Sequence, residues 1–256
     1  MSQDDFDGGP IWNEFQWELH LNEIEKRSEQ LRQFITSDPK GNTPRWITLL
    51  QESLDELDAV EAFIEEELLL DEAYFPEDED DWEDEDDDWD DDDFFFQNED
   101  FPFNQDDDED FDYGEEWKEL SDDFTLSDYG SIDNLDVYQE ARNFAVDILK
   151  WGETIPTHLQ TKQVHEFVSN VLKITAKLAG GYSFGFDQDV LGGNIAYTKK
   201  ALHSANEALI HLQNMKREPF IVKAVYAKFH DRLFEIRNEI GIYVQELRDR
   251  FNMGLE

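Results

Sequence analysis

Residues 191–215 read LGGNIAYTKKALHSANEALIHLQNM. Leu191, Ile195, Thr198, Leu202, Ala205, Leu209 and Leu212 recur in steps of three and four, the seam of an amphipathic helix with heptad character. Ala201, Ala205 and Ala208 add no bulk, so a neighbouring helix can approach closely. This helix is predicted to be the most buried element of the chain, with Leu202, Leu209 and Leu212 on its inner line.

Working outward from it, the same period recurs three more times. Residues 135–152 carry Val137, Ala141, Phe144, Ile148 and Trp151. Residues 159–178 carry Val164, Phe167, Val171, Ile174 and Leu178, and Gly180-Gly181 reads as the helix stop. Residues 220–251 follow Pro219 with Val222, Val225, Phe229, Leu233, Ile236, Ile240, Tyr243 and Leu247. Strand signals are absent and connections are short, which predicts an all-α chain with an up-down four-helix bundle over residues 134–256.

The N-terminal residues 1–70 predict a helical hairpin. Trp17, Leu21, Ile24, Leu31 and Ile35 mark one helix, and turn chemistry follows in Ser37-Asp38-Pro39 and Lys40-Gly41-Asn42. Thr43-Pro44 then opens a second stripe of Trp46, Leu50, Leu54, Leu57, Val60, Ile64 and Leu68. Two helices bury little surface, so the pair is expected to pack on the C-terminal domain or on a partner.

Charge separates these two parts. The chain has 256 residues, 64 acidic and 21 basic, for a net charge of −43. Residues 134–256 hold 15 acids and 15 bases, whereas residues 71–128 hold 31 acids and one base, Lys118. Like charges at that density repel over a screening length of about 8 Å. Residues 71–133 are therefore expected to form a disordered acidic linker. With no Cys, disulfides and thiolate metal sites are excluded. The N-terminus has no basic and apolar leader, and no apolar run is long enough to span a bilayer, so a soluble cytoplasmic protein is expected.

Constellations for catalysis are sparse. His165-Glu166 is followed by Ser169 where H-E-x-x-H requires a second His, and no phosphate-binding or nucleophile-elbow motif occurs. Glu207 and His211 stand four apart on one helix face, a spacing more often found in an exposed pair than in a metal site. Asp108, Asp110, Asp112 and Glu119 imitate calcium-loop positions, but Tyr113 stands where that loop needs Gly. No catalytic, cofactor or metal site is assigned.

The aromatics inside the polyanion stand out. Trp82, Trp89, Phe94, Phe95, Phe96, Phe101 and Phe103 are large hydrophobes that a solubilising spacer does not need. Charge would speed encounter with a basic partner and the rings would anchor it. Glu99-Asp-Phe-Pro-Phe103 resembles the acidic tip of bacterial single-stranded-DNA-binding proteins, although that tip acts as a free C-terminus.

The C-terminal half also resembles a family. LDVYQEARNFAVDILKWGETIP (135–156), KITAKLAGGYSFGF (173–186) and KKALHSANEALIHL (199–212) are similar to the first three helices of the four-helix-bundle proteins encoded in 23S rRNA intervening sequences. The same bundle serves as the accessory protein of diversity-generating retroelements. The resemblance implies a bundle that forms ring-like pentamers and offers a basic surface to nucleic acid or a reverse transcriptase. Lys173, Lys177, Lys199, Lys200, Lys228 and Arg232 are the residues it would use here.

Two functions follow as expectations. The first is a non-enzymatic interaction or scaffold protein whose acidic-aromatic segment docks on a basic partner or mimics nucleic-acid charge. The second is a nucleic-acid-associated accessory bundle, with the acidic segment as its internal competitor. Basic residues gathered on one open face favour the second; basic residues interspersed with acids favour the first.

Overall fold

The structure, a computed structural model, describes residues 11–35, 43–72, 126–127 and 130–254. It is all-α: seven α-helices run through the described residues, accompanied by 3-10 turns and a two-residue antiparallel pairing. The helices are α1 (Glu14–Ile35), α2 (Arg45–Glu52), α3 (Glu56–Glu72), α4 (Asp136–Thr154), α5 (Lys162–Ser183), α6 (Leu191–Asn214) and α7 (Lys223–Met253). Strands β1 (Leu126–Ser127) and β2 (Gly130–Ser131) pair just before α4. The linker aromatics and the calcium-like acids lie outside the described residues.

Helices α4 to α7 form the predicted bundle, each packing on the next and α7 closing back on α4. Phe144, Ile148, Phe167, Leu212, Leu233 and Ile236 meet in its centre with no exposure above 0%. Trp151 stands edge-on to Phe167 at 5.9 Å and to Phe229 at 5.4 Å, an arrangement aromatic quadrupoles favour.

Two sequence expectations for the bundle need correction. Gly180 and Gly181 do not end α5, which runs on to Ser183. A Cβ at Gly180 would lie 3.0 Å from the Tyr197 ring, and one at Gly181 would lie 3.2 Å from the Asn194 backbone carbonyl. The glycines are there for close approach of α6, and the turn falls to Gly185 with φ +86°. As a result α5, with 14 of its 22 residues buried, is more buried than α6, with 13 of 24. On α6 the inner line runs through Ala201, Ala205, Ala208 and Leu212, while Leu202 and Leu209 are half-buried at its flank.

The N-terminal part differs more. The second stripe is broken at residues 53–55, because the Asp55 carboxylate accepts the backbone N–H groups of Leu57 (2.8 Å) and Asp58 (3.0 Å) and starts a new helix. Leu54, expected on the seam, is 97% exposed at this break. Nor do the helices pair mainly with each other: α3 packs on α5 and α4, and α1 packs on α6. Trp46, Val60, Phe63 and Leu68 join the bundle's own core, so α2 and α3 complete the body that α4 to α7 begin.

Candidate interaction surface

Helix α1 begins with reciprocal bonds. The Asn13 side chain accepts the N–H groups of Phe15 (3.0 Å) and Gln16 (3.1 Å), and the Asn13 N–H donates to the Gln16 side chain (3.0 Å). This cap directs Trp17, Leu21 and Ile24 onto Ala196, Tyr197 and Phe184, a second hydrophobic cluster beside the main core. The chain comes so close here that a Cβ on Gly192 would stand 2.5 Å from the Trp12 carbonyl and 2.8 Å from the Trp17 ring.

The acids of α1 sit over the bases of α6 and α7. Lys199 bonds Glu18 at 2.6 Å and lies 3.8 Å from Glu14. Lys200 bonds Glu25 at 2.6 Å and Asn22 at 2.7 Å. Arg248 grips Glu14. The hydrogen bond from Arg248 holds the Glu14 carboxyl below its ordinary range despite burial, and Lys199 adds to the effect. Burial pushes Glu25 up, but Lys200, with smaller help from Lys177 and Lys173, outweighs it and lowers the pKa.

Magnitudes assign different tasks to these contacts. A partly exposed ion pair contributes about 0–1 kcal/mol, whereas burying a Leu or Ile side chain contributes about 1.5–3 kcal/mol. Leu21 and Ile24 therefore attach α1, and the ion pairs set its register.

Three of the remaining nominated bases are neutralised too. Lys177 is buried on α5 at 3.8 Å from the equally buried Glu67 of α3, with its ammonium over the Tyr197 ring at 5.4 Å. Lys228 and Arg232 of α7 share Asp147 of α4 at 3.5 and 2.6 Å, and Arg232 also reaches Glu140 at 2.7 Å. Lys173 is half-buried on α5. The five ion-paired bases thus fall into two groups, Lys177, Lys199 and Lys200 under α1 and α3, and Lys228 and Arg232 against α4, each interleaved with acids.

Other side chains singled out in the sequence have ordinary settings. His211 Nδ1 faces the Gln163 amide oxygen at 2.8 Å. His165 lies 5.9 Å from the Trp46 ring, and burial lowers its pKa. A cleft of about 300 Å³ opens between the start of α1 and the end of α7, with Glu14, Phe15, Arg248 and Phe251 on its wall. Its two charged groups are bonded to each other.

Sequence reasoning missed the covering role of α1. The signal was present in Asn13-x-x-Gln16 and in Glu14, Glu18 and Glu25 on one side of a stripe, opposite the bases of α6. Matching the two faces required knowing that they meet. Among the described residues no group of three potential metal ligands gathers, and no helix is long and apolar enough to cross a membrane. Comparison with known protein families, curated proteins and solved structures gives no match.

Proposed function

We propose that this is a non-enzymatic interaction protein of the cytoplasm that engages a basic protein partner. Residues 71–133 supply long-range attraction, and their aromatic residues supply anchors. The observation that carries the reading is the state of the bundle's cations. Lys177, Lys199, Lys200, Lys228 and Arg232 already have carboxylate partners within the chain, so a polyanion would have to displace those carboxylates to bind. With a net charge of −43, the molecule repels nucleic acid at long range and attracts basic segments.

The test uses the full-length chain, a labelled polylysine peptide and a labelled single-stranded oligonucleotide, followed by fluorescence anisotropy across a salt series. Binding of the peptide that weakens steeply with salt, without binding of the oligonucleotide, is the expected result. Oligonucleotide binding in the absence of peptide binding would overturn the proposal in favour of the accessory-bundle reading.

A further inference from the structure

We infer that the outward face of α7 centred on Phe234, Gly241 and Ile242 is the docking surface for a basic amphipathic helix of a partner protein. This rests on the proposed engagement of a basic partner and names the surface and the form of what binds it. Three independent features of the face converge.

The first is apolar exposure. Phe234 is 47% and Ile242 61% exposed. They are eight positions apart, so they stand about 12 Å from each other along the axis on neighbouring lines of the helix. Phe234 is held ready, because its ring stacks on His230 (6.2 Å, 6°) and His230 in turn stacks on Tyr226 (5.9 Å, 25°). A pre-set ring loses little freedom when a partner covers it.

The second is Gly241, in the interior of a 31-residue helix. Glycine there costs about 1 kcal/mol relative to alanine. Gly180 and Gly192 face crowded neighbours, but a Cβ on Gly241 would meet nothing within 4 Å. No packing among the described residues explains this glycine. Its place on the outer face, between Phe234 and Ile242, suits the close crossing of a second helix, whose side chains would enter the gap.

The third is charge. Glu235, Glu239 and Glu246 follow one edge of the strip, and Asp231 and Asp249 mark its two ends. Among the described residues Glu235, Glu239 and Glu246 make no ion pair, in contrast to Glu140 and Asp147 on the adjoining helix. Asp231 lies 3.4 Å from His230, and Asp249 accepts a hydrogen bond from Gln245 at 2.8 Å. On the other side Arg237 is already bonded to Asn206 and Asn238. A second copy of this chain would bring the same acids face to face and be repelled. A helix with Lys or Arg flanking an apolar stripe complements both the acids and the rings.

The experiment uses the full-length chain and two labelled peptides of identical leucine and lysine composition. One places leucines at three- and four-residue spacing to form an amphipathic helix, and the other is scrambled. Titrations compare wild type, Phe234→Ser/Ile242→Ser and Gly241→Gln, with thermal melts confirming that each variant is folded. Expected are tighter binding of the patterned peptide and about ten-fold weaker binding to each variant, since central anchors dominate such contacts. Patterned and scrambled peptides bound alike, with variants unchanged, would overturn the surface while leaving the engagement of basic partners intact. Failure of both peptides to bind wild type would overturn both.

Discussion

Glu14 in the first turn of α1 takes two parallel hydrogen bonds from Arg248 near the end of α7, Nε to Oε2 at 2.7 Å and Nη2 to Oε1 at 2.8 Å, across 234 positions of sequence. A planar guanidinium and a carboxylate match in this way and in few others, so the pair fixes the angle at which α1 enters. The bond lowers the Glu14 pKa and raises that of Arg248.

The pH dependence of α1 follows from that shift. A carboxyl whose folded pKa lies below its ordinary 4.5 contributes stability that is fully present above 4.5 and is lost as pH falls through the folded value. Glu25 has the same sign. Hydrogen exchange of the α1 amides is expected to be pH-invariant in its protection between neutrality and about 5, then to lose protection on further acidification before the bundle does. Glu14→Gln lowers protection at neutral pH and flattens the acid limb. An α1 that loses protection only together with α5 and α6 would contradict this.

Two glycines on helices should respond in opposite directions to alanine. At Gly192 the new methyl meets the Trp12 carbonyl and the Trp17 ring, so Gly192→Ala displaces the start of α1 and raises its exchange rates. At Gly241 the methyl enters open space, and Gly241→Ala stabilises the free chain by about 0.5–1 kcal/mol. Denaturant melts of both variants read the difference. Stabilisation by both would mean that α1 is not seated where the structure places it.

Lys177 and Glu67 form the most buried ion pair among the described residues, with 4% and 7% of the side chains exposed. Removing the Glu67 carboxylate takes a close counter-charge from a buried ammonium, so Glu67→Leu alone is expected to destabilise by up to about 3–5 kcal/mol. The double variant Glu67→Leu/Lys177→Met restores most of that loss. Additive costs in a double-mutant cycle would show that the two groups do not depend on each other.

Leu212 is fully buried and Leu209 is half-buried on the same helix. Leu212→Ala should therefore cost about 2–5 kcal/mol, Leu209→Ala clearly less, and Glu207→Ala within about 0.5 kcal/mol of wild type. Equal losses at the two leucines in urea melts would mean that the inner line of α6 is misplaced.

The sequence carries the bundle well because each helix buries one continuous stripe. Val164, Phe167, Val171, Ile174 and Leu178 were predicted on one face, and all are buried. Periodicity could not separate Leu209 from Ala208. It weighs side chains by apolarity, whereas the fold puts the smallest of them at the closest helix contact. Gly180-Gly181 resembles a stop for the same reason: a glycine chosen for close approach and one chosen for a turn are identical in sequence. The break at Asp55 is not legible in the stripe, because the apolar rhythm runs on through Leu54 and Leu57 on either side of it. The candidate surface was the least legible part. Glu18 and Lys199 are 181 positions apart, and nothing local in either helix announces the other.

Helix α3, which leads into residues 73–125, packs on α5, and β2, where the chain returns, is tied to the same helix by the Tyr182 hydroxyl, which donates to the Gly130 carbonyl at 3.0 Å. Residues 73–125, of which 28 are acidic and 13 aromatic, are thus an insertion into one body, joined to it at both ends. Covalent continuity through them is not what holds the two flanking pieces together; Val60, Phe63, Ile64 and Leu68 do that by packing in the common core. A single proteolytic cut within 73–125 should accordingly yield two polypeptides that co-purify. The same two pieces, expressed separately, should reconstitute the folded body by complementation. In assembly terms the two flanking pieces are expected to behave as the subunits of a heterodimer encoded as one chain.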